Sequence, residues 1–314
     1  MTSAERAEQL LRERAHGRVE RDAAVGPLTS YGLGGRAAVF LEAEGDQDLA
    51  ALGDALRETA LPLLVIGRGS NMLVSDRGFA GVAVRLGAGF RWTRVDGNRI
   101  EAGAAVPLPS VAVLSGRESL AGLEFAVAIP ASVGGAVRMN AGAHGRSVGE
   151  VLDQVDVFRL DSNSREQIPA QRLGFTYRST DLPSEALVIG AGFGLEPGEP
   201  SAIQDKLRDA REWRRANQPL NLPNAGSVFK NPPGEAAGRI IERILGKGLT
   251  VGGARISEVH ANFIVASPGA TADDVYTLIR RIQRRVKEDI GVDLEPEVRL
   301  VGDFEEVEDG ASTR

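Results

Sequence analysis

The sequence predicts an α+β protein built as more than one domain, and three observations carry that prediction. Residues 36–67 run strand, helix, strand. Glycine clusters in two stretches, "VIGRGSNMLVSD" (65–76) and "IPASVGGAVRMNAGAHG" (129–145). The last third, beyond Pro219 and Pro223, joins a long amphipathic helix to an alternating strand. At 314 residues the chain is long enough for two or three domains. Aromatics are only 5%, so the core falls to Ala, Val, Leu and Ile.

The elements follow in order. Residues 1–22 are charged throughout and are expected to form one amphipathic helix with a solvated face. "RAAVFLEA" (36–43) is a short apolar strand. "GDQDLAALGDALRETALP" (45–62) places Leu49, Leu52 and Leu56 at helical spacing, with acids at its start. "LPLLVIG" (61–67) is a buried strand. "GVAVRLG" (81–87) and "RIEAGAAV" (99–106) alternate as strands do, and a helix is expected near 109–120. "VDVFRL" and "ALVIGAGFGL" are strands within 151–195. "AIQDKLRDAREWRRANQP" (202–219) is a helix stopped by its prolines. In "TADDVYTLIRRIQRRVKEDIG", Thr271 is the N-cap, Asp274 completes a capping box, and Gly291 ends the helix. "VDLEPEVRLVG" (292–302) alternates as one strand, with Val292, Leu294, Pro296, Val298 and Leu300 on one face and Glu295, Glu297 and Arg299 on the other. A domain boundary is expected near 200.

Composition excludes several classes. A net charge of −6 argues against a nucleic-acid footprint. The N-terminus lacks the apolar core of a secretion signal, and no apolar run approaches the ~20 residues of a membrane span. A cytoplasmic, non-membrane protein is expected. The absence of cysteine removes disulfides, thiolate ligands and cysteine nucleophiles. With only three scattered histidines, no metal site is expected. His260 is expected to be structural, His16 solvated, and His144 is left open.

Chemistry concentrates in the glycine-rich stretches. In Gly67-Arg68-Gly69-Ser70-Asn71, close glycines let backbone N–H groups converge on an anion while Ser and Asn add side-chain bonds. Met72 stands where a Rossmann loop needs its last glycine, and the G-K-[ST] of a P-loop is absent. The loop alone is equally well a tight turn between strands. The second stretch carries Gly134, Gly135, Gly142 and Gly145 with Asn140 and small alanines, which lets backbone approach a flat or charged group closely. Two such loops suit a large dinucleotide better than one phosphate. Ser227, in "NAGSVFKNPP", has no histidine nearby in sequence. It is either a turn residue or a hydroxyl that gives its proton away. Arg178, Lys230 and Glu297 are polar residues on otherwise apolar segments, where each is also readable as an ordinary surface charge.

Taken together, "TSYGLGGRA" (29–37), "VIGRGSNMLVSD", "GLEFAVAIPASVGGAVRMNAGAHG" (122–145), "FTYRST" (175–180), "NAGSVFKNP", "GARISEVHANFIV" (253–265) and "LEPEVRLVG" (294–302) resemble the UDP-N-acetylenolpyruvoylglucosamine reductase family, in its shorter subtype. The resemblance implies a vanillyl-alcohol-oxidase/PCMH-type FAD-binding region of two subdomains and a C-terminal α+β substrate-binding domain. On this chain these would be an N-terminal helix (1–22), the FAD region (23–200, divided near 80), the substrate domain (201–304) and an acidic tail (305–314).

The resemblance also implies non-covalent FAD, NADPH as co-substrate, and a sugar-nucleotide substrate reduced in peptidoglycan precursor synthesis by a monomer. Ser227 matches the family's proton donor, while Arg178 and Glu297 match the pair that polarises the substrate carboxylate. A weakly acidic hydroxyl can protonate an enolate if held within hydrogen-bond reach. Arg178 offers a two-pronged donor, and Glu297 serves if protonated or if it organises its neighbours. Gly67, Arg68, Gly69, Ser70, Asn71 and Met72 match cofactor contacts. So do Ile129, Pro130, Ser132, Val133, Gly134, Gly135, Asn140, Ala141 and Gly142. Tyr177, Lys230 and Asn231 match substrate positions. Thr180 departs from the family's usual serine, and Ala266 from its usual asparagine. The competing expectations are a sugar or alcohol oxidase of the same flavin superfamily and a non-catalytic flavin- or sugar-nucleotide-binding protein.

Overall fold

The structure, a computed structural model, describes residues 1–305. The expected acidic tail therefore lies, beyond Glu305, outside the described residues. The chain forms two compact units that alternate along the sequence. Among the described residues, the first takes Met1–Ala23, Ala37–Arg68 and Ala80–Ala216, and the second takes Ala24–Arg36, Gly69–Phe79 and those from Asn217 onward.

In the first unit, Thr2 and Glu5 form a capping box that starts the helix Ser3–Arg14, which buries Ala7, Leu10 and Leu11. The helix stops well short of residue 22. Gly17 follows, with no room for a side chain: a Cβ there would lie 2.0 Å from the Glu42 carbonyl. Arg18–Ala24 then runs as a strand beside Arg36–Ala43. Its charged residues belong to a sheet edge, where alternating polar side chains face water, rather than to a helix. The sheet continues with Phe79–Leu86 and Leu63–Ile66, the last two parallel. Helix Asp46–Thr59 buries Leu49, Leu52 and Ala55.

A second, five-stranded sheet has the order Ser164–Pro169, Leu152–Arg159, Ala186–Gly194, Arg99–Gly103, Thr93–Asp96, and every neighbouring pair is antiparallel. Its central strand, Ala186–Gly194, is buried along almost its whole length, which explains its unbroken apolar sequence. Helices Leu108–Arg117 and Pro200–Asn217 join the same apolar core through Val111, Ala112, Ile203, Leu207 and Ala210. The helix at 200–217 thus packs with the first unit, so the contact boundary lies at 216 rather than 200.

The second unit contains helices Ala237–Leu245 and Ala272–Ile290 and the antiparallel strands Thr250–Val251, Ala254–Ile256 and Ile264–Ala266. Its core gathers Ile240, Ile241, Leu278, Ile279 and Ile282 with Tyr31 and Leu73 from early in the chain. Thr271, Asp274 and Gly291 cap the long helix as its sequence requires. The expected strand over 292–302 is regular only at Arg299–Val301, which pairs in parallel with Met72–Val74. Pro296 lacks the N–H that a continuous ladder would use. The preceding residues are instead held by isolated backbone bonds. No described helix is long and apolar enough to cross a membrane.

Candidate active site

In the first unit, strand Leu63–Ile66 delivers Gly67 and Arg68 to the second glycine-rich stretch. A Cβ at Gly67 would fall 2.5 Å from Ser132 Oγ, so only glycine leaves room for that hydroxyl. Ser132 in turn accepts from the Gly135 N–H at 3.3 Å and caps the helix Val133–Arg138. Arg68 Nε donates to the Pro130 carbonyl at 3.1 Å. The two segments that the sequence held apart are therefore adjacent. Gly67, Arg68 and residues 129–142 contain no carboxylate but offer backbone N–H, hydroxyl, amide and guanidinium donors. That donor set, on a backbone without bulky side chains, fits the pyrophosphate of a flavin dinucleotide.

The remainder of the first stretch, Gly69–Met72, belongs to the second unit. Asn71 Nδ2 donates to the Glu297 carbonyl at 3.0 Å, and the Asn71 carbonyl accepts the Arg299 N–H at 3.1 Å. Met72 is buried where the parallel strand pair begins.

Arg178 lies on a turn in the first unit. Thr176 and Ser179 close it with two backbone bonds, of 3.1 and 3.3 Å, leaving Tyr177 and Arg178 at its tip. Arg178 adopts φ +59°, a conformation that costs a residue with a side chain roughly 1–3 kcal/mol and needs support from its surroundings. Its Nη2 donates to the Gly142 carbonyl at 3.0 Å, and its guanidinium sits 5.0 Å from the centre of the exposed Tyr177 ring. Beyond the turn, Arg138 donates to the carbonyls of Leu182, Pro183 and Ala186 at 2.5–2.9 Å. Thr180 Oγ1 returns a bond to the Arg138 carbonyl at 3.1 Å, so threonine at this position still ties the segment.

Ser227 and Glu297 stand together in the second unit. Phe229 faces Pro296 in antiparallel register; the Glu297 N–H donates to the Val228 carbonyl at 2.7 Å and the Lys230 N–H to the Glu295 carbonyl at 2.9 Å. Glu297 thus lies opposite Val228, one residue after Ser227. Ser227 and Glu297 are both half-buried, while Val228 and Phe229 anchor in the core. Gly226, at φ +76°, makes the bend that precedes Ser227. Lys230 Nζ is paired with Glu295 at 2.6 Å, and Asn231 Oδ1 accepts the Ala237 N–H at the start of helix Ala237–Leu245.

One residue that the sequence reading did not single out organises this segment. Asn262 is 3% exposed. Its carbonyl accepts the Val228 N–H at 2.8 Å, and its side chain takes both the Phe229 N–H, at 3.0 Å, and the Phe229 carbonyl, at 2.8 Å. The available signal was an asparagine inside the otherwise apolar "ANFIV". His260 supports Asn262 in turn, its Nδ1 accepting the Asn262 N–H at 3.1 Å. Burial, with Lys247 nearby, lowers the His260 pKa below the usual imidazole range, which matches a ring used as an acceptor. His144 packs edge-on against Trp213 at 5.0 Å.

A depression of about 540 Å³ also runs along helix Ala272–Ile290, lined by Arg280, Arg284 and Lys287. Lys287 is bound to Asp293 and Arg280 to Gln283, so it is a solvated, internally paired face.

Comparison with known proteins agrees with this arrangement. Residues 37–162 match the FAD binding domain, and residues 218–301 match the C-terminal domain of UDP-N-acetylenolpyruvoylglucosamine reductase. The reductase of that name from Heliobacterium modesticaldum is 43% identical over 91% of this chain and 91% of its own. The one from Anaeromyxobacter sp. (strain Fw109-5) is 42% identical over 94% and 92%. The crystal structure of UDP-N-acetylenolpyruvylglucosamine reductase from Thermus caldophilus superposes with a TM-score of 0.80 at 36% identity, covering 91% of this chain and all of the other. With an FAD-binding domain, the reductase C-terminal domain and full-length relatives above 40% identity, the chain belongs to the UDP-N-acetylenolpyruvoylglucosamine reductase family.

Proposed function

We propose that this protein reduces UDP-N-acetylglucosamine enolpyruvate to UDP-N-acetylmuramate, with NADPH as reductant and non-covalently bound FAD, as a cytoplasmic monomer. The observation that supports the mechanism is the backbone pairing of the segment after Ser227 with the segment around Glu297, which ties the two residues' positions to one rigid support. Gly67, Arg68, Ser132, Gly135 and the residues flanking them would hold the FAD, aided by Ser70 and Asn71. Held there, FAD would supply the hydride that reduces the alkene carbon beta to the substrate carboxylate.

The chain's own residues handle the charge that results. Negative charge moves onto the alpha carbon and the carboxylate oxygens. Arg178 engages those oxygens with its two-pronged guanidinium, and Glu297 completes the carboxylate site. Ser227 Oγ–H then gives its proton to the alpha carbon, forming the C–H bond of the lactyl ether. Water can restore the serine proton, because Ser227 is half-buried rather than sealed in the core. No histidine base is required, since the hydroxyl acts as an acid. Lys230 and Asn231 bind the nucleotide portion, and Tyr177 shields the carboxylate end.

The experiment is a stopped-flow record of the FAD-loaded protein: reduction by NADPH first, then reoxidation on adding the enolpyruvyl sugar nucleotide. Rapid reoxidation by that substrate supports the reading. Reoxidation by oxygen alone, with no response to the sugar nucleotide, would refute it.

A further inference from the structure

We propose that Asn140 is the positioning residue for Arg178, and the proposal rests on the role given above to Arg178. Asn140 is 6% exposed and adopts φ +40°. Its Nδ2 donates at 2.8 Å to the Thr176 carbonyl, the same carbonyl that accepts the Ser179 N–H and closes the Arg178 turn. Its Oδ1 accepts the Gly149 N–H at 2.9 Å. Both amide groups are therefore engaged with backbone.

These bonds complete a closed circuit. From Asn140 the side chain reaches Thr176, the turn leads to Arg178, and the guanidinium reaches back to the carbonyl of Gly142, two residues after Asn140. The backbone end and the charged end of Arg178 are thus both tied to one short segment. That loop of bonds constrains where the fork sits. Gly142 closes the circuit tightly: a Cβ there would lie 3.1 Å from Arg178 Nη1. Arg138 and Thr180 hold the chain leaving the turn, whereas Asn140 touches the turn itself. Without the amide, a turn with a residue at positive φ keeps its two closing bonds but loses its tie to the segment at 140–142, and Arg178 can drift by the small distance that matters for stabilising developing charge.

The test uses the full-length FAD-loaded protein as Asn140→Gly, Arg178→Ala and the double variant, with flavin absorbance followed by stopped flow. Glycine accepts φ +40° freely, so this change removes the amide without adding strain. Both half-reactions are measured per bound FAD, with flavin reduction by NADPH as the reference against which the substrate step is compared. Reoxidation by the enolpyruvyl substrate should slow about 10–100-fold, mainly in kcat. Adding Asn140→Gly to Arg178→Ala should cost nothing more, because the two act through one group.

Additive losses, equal slowing of both half-reactions, or unchanged reoxidation per bound FAD would each overturn the proposal. If Arg178→Ala left reoxidation unchanged, the role of Arg178 itself would fall. A slow Arg178→Ala beside an unaffected Asn140→Gly would remove only the role of Asn140. Should the glycine variant fail to fold, Asn140→Asp decides by the same comparison, since it keeps the acceptor for Gly149 and loses the donor to Thr176.

Discussion

The segment that carries Ser227 is held by backbone: Val228 and Lys230 bond to the chain at 295–297, and Asn262 fixes Phe229 from the other side. The turn that carries Arg178 closes on its own two backbone bonds and is anchored to the rest of its unit by side chains: Asn140 grips Thr176, Arg138 grips three carbonyls beyond it, and the arginine's own guanidinium reaches Gly142. The difference has a physical basis. A proton donor needs one atom at one place, which a paired extended segment supplies through its backbone, here with Asn262 as its side-chain brace. Aiming a long cation from a strained turn needs several ties acting together. Substitution at Ser227 should therefore change chemistry and leave stability alone, whereas the Arg178 turn should be sensitive at residues that touch no substrate.

The largest effect is expected at Ser227. Ser227→Ala should lower turnover by roughly 10²–10⁴-fold, the range of a positioned proton transfer, and leave the melting temperature and NADPH-driven flavin reduction unchanged. Equal slowing of both half-reactions in stopped flow would refute the assignment. Arg178→Ala should cost about 10²–10³-fold in the substrate step. Arg178→Lys should recover little of it, because an ammonium cannot engage a carboxylate with two parallel bonds. Turnover of the lysine variant near that of the unmodified protein would show that charge alone suffices.

The ladder around Ser227 breaks at Asn262 instead. Asn262→Ala would leave the buried Phe229 N–H and carbonyl without their side-chain partners, and should destabilise the fold by about 2–4 kcal/mol. Thermal denaturation measures it; a loss larger than that of Asn140→Gly would sharpen the contrast, and a smaller one would reverse it.

The mildest effect is a pH dependence from His260. Its folded-state pKa lies below that of the unfolded chain, so the unfolded state takes up the proton first as pH falls. Its contribution should be complete above about pH 6.5 and decline as pH falls below that value. The slope of melting temperature against pH should flatten in His260→Asn, which offers an acceptor that does not titrate. An unchanged slope would exclude His260 as its source.

Much of the fold was legible where structure is local. The capping box at Thr271 and Asp274, the αL glycine at 291 and the unbroken apolar run at 186–194 each specify their element within a few residues. The N-terminal helix was overrun because Arg18–Ala24 is a polar edge strand with a helix-compatible composition. The strand at 292–302 was overextended because apolar alternation survives where Pro296 interrupts the hydrogen bonds. The candidate site divides the same way. Glycine clusters and the Ser227 motif are visible in sequence, since they need particular residue types in order. Asn262 and Arg138 act on backbone carbonyls and amides far along the chain, and carbonyls leave no mark on the residues that own them. Asn140 likewise reaches backbone partners, at Thr176 and Gly149, that its own sequence position does not announce.

The alternation of the two units along the chain has a consequence for biosynthesis. The strand Met72–Val74 emerges from the ribosome early, yet its parallel partner Arg299–Val301 is among the last described residues to be made. Until then the second unit lacks a strand pair, and the loop at 69–71 lacks the bonds that Glu297 and Arg299 give Asn71. A fragment starting at 217 would be missing Tyr31 and Leu73 from its interior, so it should not fold by itself. Mixing it with the fragment ending at 216 should restore both partners, making this family member a candidate for reassembly from two separately synthesised halves.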